Sequence, residues 1–382
     1  MRILQVSAEL FPLLKTGGLA DIAGALPLAL TAAGQDVRVL LPGFPAIVSG
    51  VTDLAATHEL RAPWGDSTRI LVGRIVTSGC PDITAYVIDA PHLYDRPGNP
   101  YEDAQRRPYG DNHRRFALLG WAAAQLAQGL DAQWQPEVVH AHDWHAALAP
   151  AYLAFAQRPP GPRVGTVFTV HNLAYQGLFA PWDFADLGLP GPAFQMNGLE
   201  YYGQVNFMKA GLVYADRLTT VSPTYAREIQ TPEQGQTLDG LLRERSGVLT
   251  GILNAVDDQV WNPATDALLP QGFGAAGIKL ESKRMAGKIA CKAALQKQLG
   301  LADAPDAPLF IAVSRLTEQK GLHLVLNGLD ALLAQGGQFA LLGSGEGWLE
   351  DAFRQRAAAV PESVSVTIGY NESLAHQLFG GG

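Results

Sequence analysis

Several short stretches pair residue types that could do chemistry. Lys15-Thr16-Gly17-Gly18-Leu19-Ala20-Asp21 follows a strand-like run, Ile3–Ala8, and opens an apolar pattern at Leu19, Ile22, Ala23, Leu26 and Leu30. That spacing marks one face of a helix, and a glycine turn before a helix start aims unpaired N–H groups at an anion. Lys15 adds a full positive charge, although the same turn would serve an ordinary strand-to-helix connection. Pro27, inside the helical pattern, is expected to kink or restart it. His140-Ala141-His142-Asp143-Trp144-His145 follows the strand-like Glu137–Val139. Its histidines and aspartate have no matching ligand set elsewhere, so a metal is not expected; Asp143 could cap a helix, and Trp144 offers an apolar face to a sugar ring. His171-Asn172-Leu173-Ala174-Tyr175-Gln176-Gly177 also follows a strand, where a histidine could equally be structural. Ser314-Arg315-Leu316-Thr317-Glu318-Gln319-Lys320-Gly321 brackets a loop with two cations; arginine forks onto phosphate oxygens and lysine supplies a point charge, as a departing diphosphate would need. Gly343-Ser344-Gly345-Glu346-Gly347 resembles a dinucleotide fingerprint, but its third glycine comes one residue early. Asn254, in Leu253-Asn254-Ala255, reads alone as a turn.

The elements that must position these residues alternate strand-like and helix-like runs, which argues for parallel α/β sheets. Strands are expected at Val37–Leu41, Ile83–Asp89, Glu137–His140, Thr166–Val170, Leu218–Val221 and Val248–Leu253. Helices are expected at Asn112–Leu130, Ala146–Phe155 and across Glu200–Tyr214. A looser stretch with Trp261-Asn262-Pro263 suggests a linker, and a cationic helix, Lys279–Leu299, then opens a second α/β unit with strands at Leu309–Val313, Phe339–Leu342 and Val364–Ile368. The expected domains are 1–253, a hinge at 254–277, and an incomplete second domain, 278–382.

Composition sets the class. The 382 residues suggest two domains, and a net charge of −8 without a basic run speaks against nucleic acid as a partner. Cys80 and Cys291 give neither a disulfide framework nor metal spacing. The first strand begins at the start of the chain and no apolar run reaches membrane-helix length, so a cytoplasmic protein with no membrane partner is expected.

Taken together, Lys15–Ala20, His140–His145, Phe168–Gly177 and Ser314–Gly321, with Pro91–Gly98 and Val221–Ala226, resemble the bacterial glycogen synthases of the ADP-glucose-dependent glycogen and starch synthase family. The resemblance covers essentially the whole chain. It implies an α/β fold of two Rossmann-like domains facing across a cleft, the GT-B arrangement. It implies transfer of glucose from ADP-glucose to an α-1,4-glucan such as glycogen, with retention and with no metal or other cofactor. By motif, Arg315 and Lys320 would stabilise the departing diphosphate, and Lys15 with the Gly17 and Gly18 backbone would complete the phosphate and sugar end. His171 would lie near the transferred glucose, with Asp143 and Asp21 holding its hydroxyls, and Asn172 and Asn254 would support the same site. Tyr94 and Trp144 would face sugar. Two departures stand out. Ala255 follows Asn254 where the family commonly has Gly, and the Glu-Pro-x-Gly loop that the family carries beyond Gly380-Gly381 is not in this sequence. The alternative reading is therefore a catalytically impaired fragment that binds glucan without turning over donor. An NAD-dependent oxidoreductase would need the fingerprint that Gly343–Gly347 fails to provide.

Overall fold

The strands of the first half are β1 (Arg2–Val6), β2 (Asp36–Pro42), β3 (Thr52–Arg61), β4 (Ser67–Ile75), β5 (Ile83–Asp89), β6 (Val138–His142), β7 (Gly165–Val170), β8 (Leu178–Phe179), β9 (Glu200–Tyr201), β10 (Gln204–Asn206), β11 (Arg217–Thr220) and β12 (Leu249–Gly251). Those of the second half are β13 (Leu309–Val313), β14 (Gln338–Gly343) and β15 (Val364–Ile368). They belong to a computed structural model that describes residues 1–76, 81–157, 163–258, 260–274 and 281–382, with 281–284 described by backbone alone. Cys80, Lys279 and the end of the expected hinge, 275–277, lie outside the described residues.

The chain divides into two units, Met1–Ala255 and Val256–Gly382. In the first, nine strands order as β12-β11-β7-β6-β1-β2-β5-β4-β3. Pairings are parallel from β12 to β5, and β4 is antiparallel to both β5 and β3. The central strands are apolar because helices cover both faces; Leu4, Val6, Val139, Ala141, Phe168 and Val170 are all fully buried or nearly so. From β1 the chain builds outward first through β2 and β5, then returns to build through β6 and β7 on the other side. The order therefore reverses between β1 and β6, and a crevice outside the strand ends at such a switch point is where open α/β sheets bind ligands.

Three expectations change. The stretch 200–214 is not one helix: β9 and β10 form a hairpin, and the helix begins only at Phe207. Tyr202 (φ 47°) and Gly203 (φ 80°) make the left-handed turn that no helix could include. Pro27 does not restart its helix, which runs from Gly18 to Ala32 with the proline ring buried. The β3–β4 hairpin, absent from the expected strands, closes one edge of the sheet.

The second unit holds a parallel sheet ordered β13-β14-β15, with β14 buried along its whole length. Helices Glu281–Leu299 and Glu372–Gly381 pack with β13 on one side around Leu295, Leu374 and Leu378; Leu322, Leu329, Leu349 and Phe353 fill the other. Residues from the expected hinge belong to this unit. Trp261 stacks on His376 at 3.8 Å, and Asp266 lies 2.6 Å from His376 Nδ1.

Candidate functional site

Three adjacent strands, β7, β6 and β1, bring their carboxyl ends together beside the switch point. β6 runs on to His142, and Asp143 follows it in the left-handed region (φ 55°), opening the one-turn helix Asp143–Ala146. A non-glycine residue held there is strained, and such strain persists where neighbours over-determine it. The neighbours directly follow β7: Asp143 Oδ1 accepts the backbone N–H of His171 at 2.7 Å and that of Asn172 at 3.4 Å. Asp143 therefore does not cap its own helix; it ties the ends of β6 and β7 together. Burial raises its carboxyl above the ordinary range, against the pull of His171 and the two amides.

The histidines form a line under this junction. His142 Nδ1 and His171 Nε2 lie 3.0 Å apart, the rings of His140 and His142 are 4.2 Å apart, and His140 Nε2 reaches Thr169 Oγ1 at 2.7 Å. Burial pushes His140 down to about 4 and holds His142 and His145 well below the usual imidazole value. These three are neutral near pH 7, so His142 hydrogen-bonds His171, with His140 packed against it, without adding charge. His171 itself is half-buried. Among the described residues, no group of three or more His, Cys, Asp or Glu side chains could hold a metal ion.

From β1 the chain enters the glycine turn. Lys15 Nζ pairs with Asp21 Oδ1 at 2.9 Å, and Gly17 precedes the Gly18–Ala32 helix with no side chain capping it. A residue that sequence reasoning missed, Glu9, underlies the turn: buried to 2 % exposure, it accepts the Thr16 backbone N–H at 2.5 Å, the Thr16 hydroxyl, and the Tyr101 hydroxyl. Tyr101 stacks on His145 at 4.6 Å. No local spacing signals a contact spanning 92 residues.

Beyond β7 lies an open depression of about 470 Å³, lined by Trp144, Tyr175, Gln176, Gly177, Tyr201 and Gln236 among others. Gly177 sits at φ 62°, and a Cβ there would collide with the Trp144 ring. Gln236 and Thr237 are both left-handed, at φ 49° and 63°. Trp144 thus lines an accessible surface, as a sugar-facing ring must. Tyr94 does not. It is 1 % exposed, packs edge-on against Phe44, and donates its hydroxyl to the Arg115 carbonyl at 2.7 Å, so the sugar-facing expectation is corrected to a core role. Asn254 is exposed near the end of the first unit.

In the second unit, Arg315 and Lys320 are exposed on the loop after β13. This loop is joined to the one after β14: Leu316 N–H donates to the Ser344 carbonyl at 2.9 Å and Glu346 N–H to the Leu316 carbonyl at 2.8 Å. A Cβ at Gly343 would strike the Ser314 carbonyl, and one at Gly345 would strike the Leu316 backbone. These two glycines are required by loop packing, which accounts for a glycine run without the dinucleotide register.

Comparison with known proteins follows the same lines. The starch synthase catalytic domain family matches residues 2–244. The chain is 76% identical over 384 aligned positions to glycogen synthase of Variovorax paradoxus (strain S110), covering 100% of this chain and 77% of that protein. It is 57% identical over 386 positions to glycogen synthase of Leptothrix cholodnii, with 100% and 77% covered. Among solved structures, the catalytic domain of starch synthase IV from Arabidopsis thaliana, bound to ADP and acarbose, superposes with a TM-score of 0.87 at 30% identity, covering 100% of this chain and 76% of that one. Its α/β class, GT-B, is the class expected for this chain. Among the described residues no helix is long and apolar enough to cross a membrane. The chain belongs to the glycogen and starch synthase family of glycosyltransferases, whose glucosyl transfer in glycogen biosynthesis uses a nucleotide-sugar donor and a glucan acceptor.

Proposed function

We propose that the donor is ADP-glucose, that the acceptor is the non-reducing end of an α-1,4-glucan, and that transfer retains anomeric configuration without a metal or other cofactor. The observation that carries this reading is the convergence of the Lys15–Gly18 turn, Asp143 and His171 at neighbouring strand ends beside the switch point of the first sheet. In the proposed step the acceptor O4 attacks C1 of the donor glucose on the face from which the phosphate leaves. The C1–O bond to phosphate breaks as the new C1–O4 bond forms, and the departing phosphate oxygen takes the O4 proton. ADP and a glucan longer by one residue are the products.

The protein's part is orientation and charge. Arg315 and Lys320 would neutralise the diphosphate as it departs, and Lys15 with the Gly17 and Gly18 amides would hold its phosphate and sugar end. His171 would sit beside the transferred glucose, with Asp143 and Asp21 toward its hydroxyls and Asn172 and Asn254 in support. Trp144 would carry acceptor sugar on the accessible part of its half-buried ring. Asp21 already pairs with Lys15, so its sugar contact would compete with that ion pair.

The test is to incubate the chain with ADP-glucose and a glucan primer and follow both ADP release and polymer growth, with UDP-glucose run in parallel. Growth matched by ADP release is expected, and R315A or K320A should lower turnover by several orders of magnitude. Near-normal rates in either variant would refute the assigned roles. Glucan retention with no ADP release would favour the alternative of a glucan-binding, catalytically impaired chain.

A further inference from the structure

We propose that Glu9 is a positioning residue: through Thr16 and Tyr101 it locks the Lys15–Gly18 turn onto the Asp143–His145 loop, so that donor affinity depends on a carboxylate that never touches the donor. The inference rests on the donor-phosphate reading of the turn given above.

Other contacts hold the turn on either side of Thr16: Lys15 pairs with Asp21, and the Ala20 N–H donates to the Gly17 carbonyl. Between β1 and the Gly18–Ala32 helix, backbone bonds join Leu10 to Leu14 and the Phe11 N–H to the Ala20 carbonyl. None of these fixes Thr16, which is exposed and sits directly beside Lys15. Glu9 does so with both oxygens, Oε2 on the Thr16 N–H and Oε1 on the Thr16 hydroxyl. A buried carboxyl must be compensated, and among the described residues the Thr16 N–H, the Thr16 hydroxyl and the Tyr101 hydroxyl donate to it, so it holds its partners as firmly as they hold it. Orientation of Thr16 then sets the direction of the Gly17 and Gly18 amides and of the Lys15 stem.

The same carboxylate links the turn to the second strand end. Tyr101 is fastened elsewhere as well: Asn112 Nδ2 donates to its carbonyl at 2.9 Å, and its ring stacks on His145, two residues beyond Asp143. His145 is buried and neutral, so the stack is a packing contact that cannot be undone by titration near pH 7. The result is a continuous tie, Thr16–Glu9–Tyr101–His145, between the two loops assigned to phosphate and to sugar.

The test compares E9A, E9Q, Y101F and K15A in the whole chain, reading donor KM, glucan KM and amide hydrogen exchange. E9A should raise donor KM at least tenfold, leave glucan KM within twofold, and speed exchange of the Thr16 amide at least tenfold while amides of β14 keep their rates. E9Q retains an acceptor for the Thr16 N–H and should bring donor KM back to within threefold of the parent. Y101F, which keeps the ring stack, should raise donor KM by about threefold, and it carries the test if E9A does not fold. A normal donor KM in E9A, or in Y101F where E9A is unfolded, together with a raised donor KM in K15A, overturns the role of Glu9 alone. A normal donor KM in K15A overturns the donor-phosphate reading of the turn and this inference with it. Equal rises in donor and glucan KM would also overturn it, because they would report general disorder.

Discussion

The line of histidines beneath the site makes stability depend on pH in a direction that can be worked out. His140 lies on β6 with its ring against His142, and burial, with His171 nearby, pushes it down to about 4. In an unfolded chain a histidine titrates near about 6.5. As pH falls the unfolded chain binds the proton first, so the native state is fully favoured above about 6.5, loses ground through the window, and has lost this contribution by about 4. The gap of about 2.5 pH units at about 1.36 kcal/mol each gives about 3 kcal/mol, an upper figure because the ring keeps partial solvent access. The perturbation is H140Q, which does not titrate and can still hydrogen-bond Thr169 Oγ1. Denaturant midpoints of parent and variant, taken in steps from pH 7 to 4, should diverge, with the parent losing up to about 3 kcal/mol more than H140Q. Parallel curves, agreeing within about 0.5 kcal/mol throughout, would refute the burial argument and with it the view of β6 as a neutral support for His171.

Three further outcomes are expected. G177A combines a left-handed backbone with a methyl group driven into the Trp144 ring, and should cost about 2–4 kcal/mol while shifting tryptophan fluorescence; unchanged denaturation and emission would show that Gly177 does not seat that ring. G345A should loosen the junction of the loops that follow β13 and β14, costing about 2–4 kcal/mol through overpacking and weakened backbone bonds at Leu316; faster amide exchange at Leu316 and Glu346 is the check. D143N removes a carboxylate that burial raises, so the parent should lose stability as pH climbs from the ordinary carboxylate range to that raised value, and the variant should lack this slope in pH-dependent denaturation.

The candidate site was legible in proportion to how local its chemistry is. Lys15–Gly18, Asp143 and His171 could each be picked out because every one follows a buried strand, and the apolar run that marks the strand also marks where its loop begins. The same logic exposed Arg315 and Lys320 after β13. It failed for Tyr94, since a tyrosine in a polar motif carries no mark of the Arg115 carbonyl that takes its hydroxyl from 21 residues away. It failed for 200–214 because helical spacing was satisfied by residues that a left-handed turn at Tyr202 and Gly203 divides. The glycines at 343 and 345 were visible, but not their reason, which is the close approach of a neighbouring loop.

By itself, then, the sequence determined the α/β class, the order of the parallel strands' loops, and the residue types offered at each, because these follow from hydrophobic period and from turn chemistry within a few positions. The tertiary structure alone decided which loops meet. Strand order, a property of pairing between distant segments, puts β6 between β1 and β7. Burial then turns Glu9, Tyr101 and the histidine line from unremarkable residues into the supports of the turn and of His171. Contacts of that kind are set by packing across many tens of residues, and no local pattern in the chain encodes them.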